Sequence, residues 1–320
     1  MIKVAVVIPC FRVRRHILEV LDQIGPEIFS IYVIDDACPE ETGKWVQQSS
    51  KDLRVKVLFN PTNLGVGGAV IRGYQEAISD QMDVVVKIDG DGQMDPSFIE
   101  DFIEPIRSGE ADYTKGNRFF DLENINRMPK MRLIGNSLLS FMSKISTGYW
   151  NIFDPNNGYT AIHTDVIKKI AFTSVSKRYF FESDMLFRLN ILKAVVVDIP
   201  MDAKYGSEKS SLSITQSIGE FFYKHTRNFI KRIFYNYYLR DMSLASFELP
   251  CGFFLLCFGT IYGIYNWYYY SQLNLLTPLG TVMVSALSLL FGLQFILAFL
   301  SYDISSVPRR IIHHKVERGN

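Results

Sequence analysis

From Leu249 to Tyr302 the chain carries no Asp, Glu, Lys or Arg, although those residues make up 21% of the whole. A bilayer core about 30 Å thick takes about 20 apolar residues per helix, so a charge-free stretch of this length fits two spans and a short turn. The spans are predicted at Leu249–Tyr270 and Leu279–Tyr302, with Ser271, Gln272, Leu273, Asn274 and Pro278 between them. Trp267, Tyr268, Tyr269 and Tyr270 crowd the far end of the first span, where amphipathic rings settle at headgroup level. The competing reading is a buried helical hairpin of a soluble protein. Lys224, Arg227, Lys231, Arg232 and Arg240 precede the first span, Arg309, Arg310, Lys315 and Arg318 follow the second, and the connecting turn has no basic residue. That asymmetry predicts that both termini and the large N-terminal part face the cytoplasm.

The residues before the spans are enough for one α/β domain with its own core. Strands are predicted at Ile2–Ile8, Ile31–Ile34, Val55–Phe59 and Val84–Ile88, alternating with helices at Arg15–Ile24, Glu41–Ser49 and Ala69–Ile78. Such βα alternation, with near-continuous Val and Ile runs, indicates a mostly parallel sheet covered on both faces. Between Ser213 and Met242, Ile214, Ile218, Phe222, Phe229, Ile233 and Tyr237 recur at helical spacing among basic residues. This reads as an amphipathic helix lying in the membrane interface, with a core helix of the soluble part as the alternative. A formal net charge of +1 argues against a dedicated nucleic-acid binder. Cys10, Cys38, Cys251 and Cys257 have no zinc-like spacing and are expected as reduced, packed thiols, and the five histidines likewise form no ligand set.

The chemistry is concentrated where one strand ends. Val84 to Lys87 leads through Ile88 into Asp89-Gly90-Asp91-Gly92-Gln93, and in open α/β sheets ligands bind at the carboxyl ends of strands. Asp89, Asp91 and Gln93 alternate along an extended turn and all offer oxygen, which suits Mg²⁺ or Mn²⁺ carrying the phosphates of a nucleotide. A turn that only reverses the chain is the other reading. Asn63-Leu64-Gly65-Val66-Gly67-Gly68 is neither a dinucleotide fingerprint nor a phosphate loop, yet its glycines let backbone approach a ligand at a helix start that favours anions. The bland alternative there is a tight loop that serves only the path of the chain.

Together these strings resemble the membrane-bound family 2 glycosyltransferases, of the dolichyl-phosphate-mannose-synthase and GtrB-like type. The resemblance rests on Val7-Ile8-Pro9, Ile34-Asp35-Asp36, Asn63-Leu64-Gly65, Asp89 to Gln93, Lys115-Gly116-Asn117-Arg118-Phe119 and Asp154-Pro155-Asn156-Asn157-Gly158-Tyr159 in this order. It implies a GT-A fold, Rossmann-like, in residues 1–211, interfacial amphipathic helices in 212–247, a two-helix transmembrane hairpin in 248–303 and a basic cytosolic tail in 304–320. It also implies a nucleotide-sugar donor and a polyprenyl phosphate acceptor, undecaprenyl or dolichyl. Pro9, Phe11, Asp36, Asn63, Gly65 and Asp89 would bind the donor, and Asp89, Asp91 and Gln93 would hold the metal. Arg118, Arg132 and Lys209 would meet the acceptor phosphate, although Gly206-Ser207-Glu208-Lys209 exchanges two residues of the family's Gly-Glu-Ser-Lys loop. Arg12 and Val13 stand where Asn and Glu are usual, which bears on base recognition. The expected location is the bacterial inner membrane, in cell-envelope polysaccharide synthesis, with homo-oligomerisation left open.

Breaking a sugar–diphosphate bond develops charge on the leaving group, which a divalent cation neutralises. A phosphate acceptor is already a nucleophile; it needs cations such as Arg118 and Arg132 rather than a strong base. A hydroxyl acceptor would instead need a carboxylate to take its proton. Asp184, in Phe181-Glu182-Ser183-Asp184, is the candidate for that role; with a phosphate acceptor it would instead help position the acceptor side or the metal, and an i,i+4 pair to Arg188 is its structural alternative. The catalytic set expected is thus Asp91, Arg118 and Asp184. The rivals to transfer onto polyprenyl phosphate are extension of a lipid-linked glycan at a hydroxyl, and a non-catalytic membrane scaffold.

Overall fold

A computed structural model of the protein describes residues 2–120, 130–201 and 214–313. The chain divides into two compact units, one of Met1–Phe229 with Val307–Asn320 and the other of Ile230–Ser306.

The first unit is built on a seven-stranded sheet, β1 (Val4–Cys10), β2 (Ser30–Asp35), β3 (Val55–Phe59), β4 (Val84–Lys87), β5 (Tyr113–Asn117), β6 (Thr160–His163) and β7 (Val196–Pro200), in the order β3-β2-β1-β4-β6-β5-β7. The expected parallel core is present: β1 pairs in parallel with β2 and β4, and β2 with β3. Strand β6 runs antiparallel to both β4 and β5, a reversal that the βα alternation of the first ninety residues does not foreshadow.

Alternate residues of β1 serve opposite cores, as a period of two requires. Ala5 and Val7 join Tyr32, Ile34 and Val85 on one face, under α3 (Val66–Ser79) and α6 (Phe181–Leu192). Val4, Val6 and Ile8 join Ile31, Val33 and Val86 on the other, under α1 (Ile17–Asp22) and α4 (Ile99–Arg107). Helices α2 (Thr42–Ser49) and α5 (Lys130–Thr147) also belong to this part. Helix α3 starts three residues earlier than predicted, because Gly65, at φ +80°, caps it and turns the chain in. A side chain at Gly65 would be strained twice over, since its Cβ would also lie 2.6 Å from the Lys177 carbonyl oxygen.

The segment after the second apolar stretch returns to this first unit. The buried Asp112 accepts the backbone N–H groups of Ile312 (2.9 Å) and His313 (3.0 Å) and pairs with His313 Nδ1 at 2.6 Å. The His313 ring stacks on His163, 4.3 Å between centroids, so Ile312 and His313, within the expected basic tail, are held by a buried carboxylate.

Helix α7 (Ile214–Phe234) runs on into a π-helical turn over Tyr235–Arg240. In the second unit, Arg232 forms a bidentate pair with Asp303, 2.5 and 3.0 Å, both side chains being almost fully buried, and Tyr237 donates to Asp303 Oδ1 at 2.5 Å. Helices α8 (Ala245–Gln272) and α9 (Leu279–Ser305) are long and apolar enough to cross a membrane and are exposed over most of their length. Each extends a few residues past the predicted span. Ser285 donates to the Gly259 carbonyl at 2.8 Å, a contact that small residues permit between close helix backbones.

Candidate active site

The carboxyl ends of β1, β2 and β4 and the amino end of α3 enclose a cleft of about 660 Å³. Its walls hold Pro9, Phe11, Asp36, Asn63, Gly65, Asp89 and Asp91, seven residues that the sequence had marked at separate places. Gln93 is not among the lining residues; its backbone N–H donates to Asp91 Oδ1 at 3.0 Å and fixes the turn. Val13, marked from sequence for its departure from the usual Glu, also lines the wall, as do Arg178 and Tyr179, which were not foreseen although a basic-aromatic pair just ahead of the Phe180–Asp184 string was the available signal.

Each carboxylate of the neighbouring β2 turn has a structural duty. Asp35 accepts from the backbone N–H groups of Cys38 (2.8 Å) and Gly43 (2.6 Å) and so shapes the start of α2. Asp36, also buried, accepts from Asn60 Nδ2, Leu64 N–H and Gly65 N–H at 2.8 to 2.9 Å. It therefore positions the glycine loop against the cleft as well as facing the cleft itself. Phe11 is 42% exposed, a flat apolar surface at the mouth of the cleft suited to stacking on a planar base.

Beneath Asp89 lies a charge cluster that reading the Val84–Lys87 run as a plain apolar strand leaves out. Lys87 pairs across the sheet with Thr160 and Thr160 with Lys115, so one row of three strands carries two buried ammonium groups. Lys87 Nζ lies 2.7 Å from Asp89 Oδ1 and 3.8 Å from Glu182 Oε1. Burial opposes its charge, but the carboxylates of Asp89 and Glu182 outweigh burial and hold its pKa above the usual lysine value. Burial pushes the Glu182 carboxyl above its ordinary range, against the pull of Lys87 and Lys115. Burial also brings Lys115 down to about 8, its Nζ donating to the Asn157 carbonyl. Gly158 makes the cluster possible: a Cβ there would collide with the Lys87 ammonium and lie 2.8 Å from Asp89 Oδ2.

The expected acceptor residues are distributed unevenly. Arg118 grips Asp154 with Nε (2.7 Å) and Nη2 (3.1 Å), so a buried carboxylate orients its planar fork. Arg132 lies in the first turn of α5, and its side chain lies outside the described residues, as does Lys209 altogether. Asp184 is 5% exposed and is not part of the cleft wall. Its Oδ2 accepts from Ser176 N–H (2.9 Å) and Arg188 Nε (3.1 Å), and its Oδ1 from Asn228 Nδ2 (3.1 Å). The i,i+4 pair weighed from sequence is therefore present.

Asp198 supports the Arg118 strand end by accepting from Asn117 Nδ2 (3.0 Å) and Phe153 N–H (3.1 Å). Burial raises its carboxyl from 3.8 to about 6. A carboxyl raised on folding favours the folded state most below pH 4, and that contribution is lost as pH rises through 6. The displacement corresponds to up to about 3 kcal/mol. Asp198→Asn is accordingly expected to be more stable than the parent at pH 7, with the difference vanishing near pH 4 in thermal melts of the two proteins. A constant difference across that window would contradict the assignment.

A divalent cation is implied by this turn chemistry. The donor set fits it: Asp89 and Asp91 supply hard oxygen ligands at the cleft floor, few enough that a substrate diphosphate would complete the shell. No cluster of three carboxylate, imidazole or thiolate groups occurs among the described residues.

Residues 5–171 match the domain described as glycosyl transferase family 2. An undecaprenyl-phosphate mannosyltransferase of Micrococcus luteus is 31% identical over 186 residues, which cover 57% of this chain and 75% of that protein. A UDP-N-acetylglucosamine–dolichyl-phosphate N-acetylglucosaminyltransferase of Methanococcus voltae is 25% identical over 233 residues, covering 68% of this chain and 92% of its own. Among solved structures, glucosyl-3-phosphoglycerate synthase of Mycobacterium tuberculosis, in complex with Mn²⁺ and UDP-glucose, aligns with a TM-score of 0.54 at 16% identity over 72% of this chain and 78% of that one. That likeness is one of fold, and the fold is GT-A.

Proposed function

Because the chain belongs to glycosyl transferase family 2, we propose that it moves a sugar from a nucleotide-sugar donor to a polyprenyl phosphate, inverting the anomeric centre, with a divalent cation at Asp89 and Asp91. The observation that carries this reading is the cleft that joins Phe11, the glycine loop, Arg178 and the two aspartates in one wall. The relatives' own acceptors, undecaprenyl and dolichyl phosphate, support the lipid class. Membership of an enzyme family removes the reason to invoke a non-catalytic scaffold.

In this reading Phe11 and Pro9 bracket the base, and the Asn63–Gly65 backbone and Arg178 lie along the diphosphate. Asp89 and Asp91 would hold Mg²⁺ or Mn²⁺, which when bound neutralises charge on the leaving diphosphate. Lys87 holds Asp89 in a single orientation through its 2.7 Å contact. On the acceptor side Arg118, oriented by Asp154, with Arg132 and Lys209, would receive the lipid phosphate, whose oxygen attacks the anomeric carbon opposite the departing nucleotide. The apolar helices α8 and α9 would anchor the catalytic part at the cytoplasmic leaflet of a bacterial inner membrane.

The test is stereochemical. The purified full chain, given undecaprenyl phosphate and a panel of nucleotide sugars with and without EDTA, is expected to yield a metal-dependent product whose anomeric configuration is opposite to the donor's by NMR. Retention, or transfer undiminished by EDTA, would count against the mechanism.

A further inference from the structure

Helix α7 buries polar residues and exposes apolar ones. His225, Asn228 and Arg232 are buried, whereas Phe222, Tyr223, Ile230 and Phe234 are each more than half exposed, with Arg227 and Lys231 beside them. Ile233 is buried, so the apolar stripe expected to face the membrane is divided between the two sides. What the inward polar residues touch in the first unit is specific. His225 Nδ1 meets Ser146 Oγ at 2.7 Å and its ring packs edge-on to Phe180, while Asn228 donates to Asp184.

Asp184 is the junction between that helix and the cleft. Through Ser176 N–H it fixes the start of the loop 176–179, whose Lys177 carbonyl accepts from Gly68 N–H at 3.2 Å, and whose Arg178 and Tyr179 form part of the cleft wall. All three donors arrive from different elements: the loop, α6 and α7. With its oxygens so engaged and no place in the cleft wall, the carboxylate has the geometry of a support. We propose that Asp184 is a positioning residue that couples α7 to the donor cleft, so that Arg178 and Tyr179 are placed for the donor only while Asn228 holds Asp184. This rests on the reading of the cleft as the donor site.

Three variants of the full chain separate this from a proton-accepting role. Asp184→Asn keeps an oxygen for Ser176 and Arg188 and can pair its amide with a flipped Asn228. It is expected to retain transfer within about fivefold, because each hydrogen bond can be kept with the Asn228 contact reversed in direction. Asn228→Ala removes one buried hydrogen bond and is expected to raise the donor KM about tenfold with kcat changed less than about threefold. Asp184→Ala should raise donor KM further still. Hydrogen exchange, which needs neither substrate nor activity, is expected to speed up in peptides covering 174–181 in Asn228→Ala and Asp184→Ala, with β1 and β4 peptides unchanged. That readout stands even if no lipid product forms, so failure of the functional reading is distinguishable from failure of the coupling. A fall in kcat of more than about a hundredfold in Asp184→Asn with donor KM unchanged, or parental exchange at 174–181 in Asn228→Ala, would overturn the proposal.

Discussion

Asp91→Asn is expected to lower kcat/KM for sugar transfer by about 10²- to 10³-fold while leaving the melting temperature nearly unchanged. Metal stabilisation of a leaving diphosphate is worth several kcal/mol, and each 1.4 kcal/mol is a factor of ten. Asp89 and Asp91 both line the cleft, so losing the Asp91 charge removes one of the two carboxylates expected to face a cation. The substitution is isosteric, Asp91 lies in the cleft wall rather than in a core, and its Oδ1 contact to Gln93 N–H can be kept by an amide oxygen. Stability should therefore move by less than about 0.5 kcal/mol. The check is a titration of activity against Mn²⁺ and Mg²⁺: the variant should need a higher metal concentration and still reach a lower ceiling. Parental rates at saturating metal would show that Asp91 does not hold the cation.

The second large effect falls on both stability and activity. Lys87→Met removes the positive member of a buried cluster and leaves Asp89 and Glu182 facing each other across an apolar side chain. Removing one partner of a buried ion pair costs about 3–5 kcal/mol, and the lower end applies here because Asp89 retains some access to water. For a chain of this size that is a fall in melting temperature of about 6–12 °C. Transfer should fall with it even below the melting range, since Asp89 loses the contact that fixes it. The double variant Lys87→Met/Glu182→Gln separates the causes. It is expected to recover part of the stability, because the uncompensated buried charge is gone, and none of the activity. Full recovery of transfer in the double variant would show that Lys87 serves only to balance Glu182.

Local patterns made much of this protein legible in its sequence. The charge-free stretch marked α8 and α9, and the Val and Ile runs marked β1 to β4, because burial on both faces leaves no alternation to interpret. The residues of the cleft were legible for a similar reason, since turn residues at strand ends lie where such sheets bind ligands. What was hidden depends on pairing across long distances in the chain. Strand β6 enters between β4 and β5, and only that register places Lys87 beside Thr160 and Lys115. A lysine two residues before Asp89 on the same strand face was a local hint, but the charge of Glu182 that completes the cluster is distant in sequence. The Arg118–Asp154 fork and the three donors to Asp184 likewise join separate elements. Helical spacing in α7 was readable; which face turns inward was not, because His225, Asn228 and Arg232 are buried while the apolar residues are divided between the two sides.

The central claim is that the acceptor is a phosphate, and the most direct measurement is a competition among acceptors. The full chain in detergent, given metal and the radiolabelled donor that supports turnover, is offered undecaprenyl phosphate, undecaprenol and a lipid-linked disaccharide in parallel. The account predicts label only in the undecaprenyl phosphate reaction, as a lipid that releases free sugar under mild acid. Label carried by the disaccharide lipid, with undecaprenyl phosphate left unmodified, would contradict it.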